Sequence, residues 1–120
     1  MWNIERLDVY LRSVSLIKKV YVVIERLPKE ERFELGSQLR RAVVSVKSNM
    51  IEGSGKRTSK EFLSYLNNAM GSLKETRGQV EIAVDLGFVG NDGRKIIEGV
   101  RRIERMLMGY MKYVKNKDVK

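Results

Sequence analysis

An all-α fold, an antiparallel up-down-up-down four-helix bundle, is predicted by three observations. Four segments place apolar residues at three- and four-residue steps. No segment sustains the strict alternation of a half-buried strand. The breaks between segments are short, so consecutive helices must run antiparallel. The 120 residues fit one domain, 1–120. A chain of this size buries roughly 65–70% of its unfolded surface, so a core forms without covalent staples.

The first segment runs from about Ile4 to Leu27. Leu7, Tyr10, Leu11, Val14, Ile17, Tyr21, Ile24 and Leu27 form its apolar stripe. Pro28, the only proline, ends this helix and opens the second, because the first turn leaves its missing donor unused anyway. Glu30, Glu31 and Glu34 set negative charge at the positive end of the second helix dipole. Phe33, Leu35, Leu39, Val43, Val46 and Met50 carry its apolar face to about Ile51.

Gly53-Ser-Gly55 breaks the pattern, with Lys56 and Arg57 in the same loop. Thr58 with Glu61 fits a capping box and starts the third helix. Phe62, Leu63, Leu66, Ala69, Met70, Leu73, Val80, Ala83 and Leu86 form its apolar face. Gly87 stands where a left-handed C-terminal cap belongs. After the loop Phe88–Gly93, Asn91 or Asp92 offers the next N-cap. Ile96, Ile97, Val100, Ile103, Leu107, Tyr110 and Val114 then mark the fourth helix. Residues 115–120 have little apolar content and are expected to fray.

Composition excludes much chemistry. Without cysteine there are no disulfides, thiolate zinc sites or cysteine nucleophiles. Without histidine the usual general base, the Ser-His-Asp triad, the commonest metal ligand and the Glu-x-x-His pairs of di-iron bundles are missing. The expectation is a protein that is not an enzyme and takes no cofactor or metal. A carboxylate-based site using Glu52 with Lys56 would need a close buried acid pair. No apolar run approaches the ~20 residues that span a bilayer, and the opening residues are too polar for a signal peptide. A cytoplasmic protein without membrane contact is expected.

Net charge is +9 and uneven. Residues 29–60 hold eight basic against four acidic groups, and residues 91–120 nine against four. Residues 61–90 reverse the balance, two against four. Such an excess favours polyanions, although it also describes a solvated lysine-rich surface. Phosphate contacts, independent of sequence, are expected of Arg40, Arg41, Lys56, Arg57, Arg101, Arg102 and Arg105. Arg41 has the alternative of pairing with an acid such as Glu52. Tyr110 and Tyr113 could stack bases but read more readily as core or core-edge residues. The Gly53–Arg57 loop is not a P-loop: the spacing is wrong and no strand precedes it.

On the second helix, Arg41, Ser45, Ser48 and Glu52 share one stripe, flanked by Gln38, Ala42, Ser45 and Asn49. Small polar side chains there point to a helix–helix or subunit contact. Gly71 and Gly78, on a stripe of the third helix with Asn67 and Lys74, would be explained by a close packing partner, since each costs roughly 1 kcal/mol inside a helix.

The run from Leu27-Pro-Lys-Glu-Glu-Arg-Phe through Gln38-Leu-Arg-Arg-Ala42 to Asn49-Met-Ile-Glu-Gly53 resembles the second-helix signature of the 23S rRNA intervening-sequence proteins. Arg57-Thr-Ser-Lys-Glu-Phe62 and Gly71-Ser-Leu-Lys-Glu75 are similar to that family's next two blocks. Lys47 departs from a frequent proline, and Met50-Ile51 from the usual Ile-Ala. The resemblance implies an antiparallel four-helix bundle that assembles into homo-oligomers, typically a pentameric ring. It also implies kinship with the accessory variability proteins of diversity-generating retroelements, which bind a reverse transcriptase and nucleic acid. Two functions follow as expectations: an oligomeric nucleic-acid-binding or ribonucleoprotein accessory protein acting on RNA or DNA, or a scaffold for a partner enzyme such as a reverse transcriptase.

Overall fold

A computed structural model describes residues 2–117. Four helices, α1 (Asp8–Arg26), α2 (Glu31–Ser54), α3 (Ser59–Asp85) and α4 (Asn91–Asn116), follow a short 3₁₀ turn at Ile4–Arg6. They run up-down-up-down. α1 packs on α2 and α4, and α3 packs on the same two, so α1 and α3 lie diagonally opposite. The bundle is elongated, 52 × 22 × 20 Å, because helices of 24–27 residues reach about 36–40 Å at 1.5 Å per residue.

Local chemistry sets the ends. At Thr58 the hydroxyl oxygen accepts from the Glu61 N–H at 3.1 Å and the hydroxyl faces the Glu61 carboxylate at 3.0 Å. Gly87 takes φ +77°, the left-handed geometry that a Cβ disfavours. Phe88 N–H then donates to Ala83 C=O (2.9 Å) and Gly87 N–H to Val84 C=O (3.0 Å), which closes α3 with a Schellman motif. The 3₁₀ turn is tied across one end of the bundle by Trp2 N–H donating to Ser54 C=O at 3.0 Å, with the Trp2 and Phe62 ring centres 5.1 Å apart.

Several expectations need correction. α1 starts at Asp8, after the separate 3₁₀ turn. Its buried face is Val9, Tyr10, Ser13, Leu16, Val20, Val23 and Ile24. Leu11 and Tyr21 point to solvent, and Val14 and Ile17 are half-buried. Ser13 is admitted because its hydroxyl donates to Val9 C=O at 2.8 Å. Phe33 on α2 is 84% exposed, and Leu86 on α3 is also exposed. α2 does not stop at Gly53; it continues through Ser54, leaving a turn of only Gly55–Thr58. Gly53 is buried there. A Cβ on it would stand 2.5 Å from Tyr65 Cβ and 3.0 Å from Phe62 Cδ1, so it is where α2 and α3 converge.

At α4 neither Asn91 nor Asp92 caps the helix. Gly90 is the N-cap, with no side-chain bond, and Asp92 instead receives the Arg26 guanidinium. Of the tail expected to fray, Lys115 and Asn116 continue α4 and Lys117 is its C-cap, while residues 118–120 lie outside the described residues.

Candidate nucleic-acid interface

α4 divides its circumference sharply. Ile96, Val100, Ile103, Leu107 and Val114 are buried, and the opposite surface carries Arg94, Lys95, Arg101, Arg102 and Arg105 in solvent. Where this surface meets α1, a shallow groove is lined by Arg12 and Lys19 from α1 and by Lys95, Gly99, Arg102 and Arg105 from α4. Arg101 and one carboxylate, Glu98, line it as well. Gly99 keeps the floor open; nothing lies within 4 Å of where its Cβ would be. Toward Asp92 a smaller, more apolar cavity follows, lined by Val22, Val23 and Ile96 and sharing Lys19 and Lys95 with the groove. Within α1 the Arg12 guanidinium makes a long ion pair, Nε 3.9 Å from Asp8.

The seven arginines and lysines expected to contact phosphate do not form one surface. Arg102 and Arg105 line the α1–α4 groove. Arg101 turns toward α3, where its Nη2 is 3.4 Å from Glu81, so part of its charge is already matched. Arg40 and Arg41 lie on the far side of α1, beside Tyr21, Val44, Ser45 and Ser48. Arg40 is half-buried and reaches Ser37 Oγ at 3.5 Å. Lys56 and Arg57 sit in the end turn, with the Lys56 ammonium 5.2 Å above the Tyr65 ring. Sequence reasoning missed Arg12 and Lys19. They are seven residues apart on α1 and so share a stripe, a signal present but spread over a segment whose net charge is low.

The small polar stripe of α2 faces α3. Asn49 Nδ2 donates to the Ser45 carbonyl (2.8 Å) and hydroxyl (2.9 Å), and Ser72 Oγ donates to Ser45 Oγ at 2.9 Å. Tyr65 OH donates to Glu52 at 3.1 Å. Glu52 is therefore exposed and engaged by a phenol, and it is not half of a buried acid pair. Ser48 is exposed. Gly71 and Gly78 have nothing within 4 Å of an added Cβ, so no side chain of this chain requires a glycine at either position. Among the described residues no group of three or more carboxylates could hold a metal, and no helix is long and apolar enough to cross a membrane.

The sequence profile of the 23S rRNA-intervening sequence proteins matches residues 5–109, nearly the whole bundle. The chain belongs to that family. A similar fold is seen in the crystal structure, at 1.70 Å resolution, of a protein with unknown function from the S23 ribosomal protein family of Bacteroides thetaiotaomicron VPI-5482. The TM-score is 0.80 at 19% identity, covering 87% of this chain and 98% of that one. At that identity the likeness concerns the fold alone. No curated protein matches the chain. Within the family match fall all the groove cations and all the contact residues of α2 and α3 named above.

Proposed function

We propose that this family member is a non-enzymatic nucleic-acid-binding accessory protein that holds the phosphate backbone in the α1–α4 groove. One observation carries the reading: five cations from two different helices, Arg12, Lys19, Lys95, Arg102 and Arg105, converge on a single open groove. Five such cations against the single carboxylate Glu98 leave the groove strongly positive, which raises the local potential and attracts a polyanion. Contacts of this type position a backbone without reading its sequence. RNA is the first ligand to test, because the family is named for an insertion in ribosomal RNA.

Assembly into a homo-oligomeric ring fits the same picture. Several grooves on one particle would bind one polymer with an avidity beyond that of a single groove. Contacts between copies belong on the α2 flank, where Arg41, Val44, Ser48 and Ile51 are exposed, leaving the α1–α4 groove open.

The test is fluorescence anisotropy of a labelled RNA titrated with protein across a salt series. Log affinity should fall linearly with log salt, with a slope of about −0.7 per phosphate neutralised for a single strand and about −0.9 for a duplex. Arg12→Gln, Arg102→Gln and Arg105→Gln combined should flatten that slope by about two, whereas Arg40→Gln with Arg41→Gln should leave it nearly unchanged. Absence of RNA and DNA binding at about 50 mM salt would instead favour a scaffold for a protein partner such as a reverse transcriptase.

A further inference from the structure

The α4 stripe that lines the cationic groove leads on to a pair of stacked tyrosines. Lys95, Gly99, Arg102, Met106, Gly109 and Tyr113 follow one another on α4 at steps of four, three, four, three and four, so they share one stripe. The first three members line the groove, and the stripe delivers Tyr113 to its far end. Lys95 and Tyr113 are separated by about 27 Å at the helical rise. Tyr113 is 51% exposed. Its ring is stacked on Tyr110, with centroids 5.9 Å apart and planes 22° apart. Tyr110 in turn packs edge-on against the buried Phe62 at 6.0 Å. The platform is therefore anchored to the core while its outermost ring remains open to solvent. The Lys117 ammonium sits 5.0 Å over that ring.

We infer that the groove takes a single strand of nucleic acid, with its phosphates along Arg102, Arg105 and the facing Arg12, and with an unpaired base stacked on Tyr113. The inference rests on the nucleic-acid reading above and narrows it to a substrate class. Two features argue for an unpaired strand. Packed helices lie with axes about 8–10 Å apart, so the groove between α1 and α4 is narrow, and a duplex could touch only its rims. A duplex also keeps its base faces stacked internally, whereas a ring exposed beside a phosphate track can only be used by a base that is free. Lys117, displaced from the ring by that base, is placed to meet an adjacent phosphate.

The experiment compares a labelled RNA of about 12 nucleotides, free and annealed to its complement, binding to the wild-type protein, Tyr113→Ala and Tyr113→Phe. A third ligand carries abasic sites throughout the same backbone. The wild type should bind the free strand more tightly than the duplex at equal salt. Tyr113→Ala should weaken free-strand binding roughly tenfold or more with the salt slope unchanged, and Tyr113→Phe should restore it. The abasic strand should lose affinity for the wild type and bind Tyr113→Ala no worse than the intact strand does. Because Tyr113 is exposed, folding is checked for each variant by circular dichroism. If free strand and duplex bind alike, or if Tyr113→Ala and the abasic ligand change nothing while the arginine variants still abolish binding, the stacking inference is overturned and the phosphate reading stands. If the wild type binds none of the ligands, both fall.

Discussion

The Arg77 guanidinium crosses the seam between α3 and α4 onto Glu104, with Nε 2.7 Å from one carboxylate oxygen and Nη2 3.4 Å from the other. Both side chains are mostly shielded, 22% and 12% exposed, and Glu81 adds a second carboxylate at 3.7 Å from Nη1. The hydrogen bond to Glu104, against the opposing cost of burial, raises the affinity of Arg77 for its proton. A two-point charged contact of this kind fixes the register of one helix against the other. Glu104→Ala should therefore lower stability by about 1–3 kcal/mol in urea unfolding, since it leaves a shielded cation with only the more distant Glu81 carboxylate. Arg77→Met combined with Glu104→Leu should recover most of that loss, because apolar replacements of a shielded pair are often neutral.

Two glycines in long helices should respond oppositely to the same change. At Gly53 a methyl would collide with Tyr65 Cβ and press on Phe62, both on α3. Gly53→Ala should cost about 1–3 kcal/mol. At Gly71, exposed and with open space around it, only the helical penalty of glycine remains. Gly71→Ala should raise stability by about 0.5–1 kcal/mol. Thermal unfolding of both variants beside the wild type checks the pair. A loss at Gly71 that grows with protein concentration would mean that another copy packs there.

Much of the architecture was legible because the punctuation is chemical and local. Thr58 with Glu61 and the left-handed Gly87 mark helix ends by bonds that a sequence motif specifies. Pro28 marks the end of α1, but α2 opens three residues later, at Glu31 and not at the proline. The inner face of α1 was not legible by periodicity, since apolar residues surround that helix. Leu11 and Tyr21 compete with Leu16, Val20 and Val23 for the same count, and the true core stripe includes Ser13, which satisfies its own hydroxyl on Val9 C=O. Gly53 looked like a breaker but is a close-packing residue inside α2. For the candidate interface, the basic excess of residues 91–120 was legible. Arg12 and Lys19 are brought beside it only by tertiary packing, and the sorting of Arg40 and Arg41 to the other side of α1 has the same origin.

The Arg26–Asp92 pair ties the end of α1 to the first turn of α4. The hydrogen bond and charge of Arg26, joined by Lys95, hold the Asp92 carboxyl below its usual range. A depressed carboxylate favours the fold fully above the unfolded value near pH 4, and that contribution disappears as pH falls through the lower folded value. Asp92→Asn should thus be the less stable protein at neutral pH, with the gap to wild type closing under acid conditions. Urea midpoints at about pH 7 and about pH 2.5 test this.

Tyr110 gives the complementary case at alkaline pH. Burial, reinforced by the neighbouring Tyr113, pushes its phenol above the ordinary value of 10.0. The folded state then keeps the proton that the unfolded chain releases, so stability is complete below about pH 10 and declines as pH rises past it. Tyr110→Phe removes that titration and keeps the ring against Phe62. The variant should lose less stability than wild type between about pH 9 and pH 11.

Gly99 links helix stability to the proposed activity. It lies in the floor of the α1–α4 groove between Lys95 and Arg102, and an added Cβ would meet nothing within 4 Å. Gly99→Ala should stabilise α4 by about 0.5–1 kcal/mol and, because a methyl is small and uncharged, change RNA affinity less than about twofold, under 0.4 kcal/mol. Gly99→Glu retains the gain in helix propensity but sets a carboxylate among Lys19, Lys95 and Arg102, where it neutralises the field that attracts phosphate. Its RNA affinity should drop sharply at low salt and converge on wild type at high salt, since screening removes the difference. Equal salt dependence for the two variants would place the phosphate track elsewhere on the bundle.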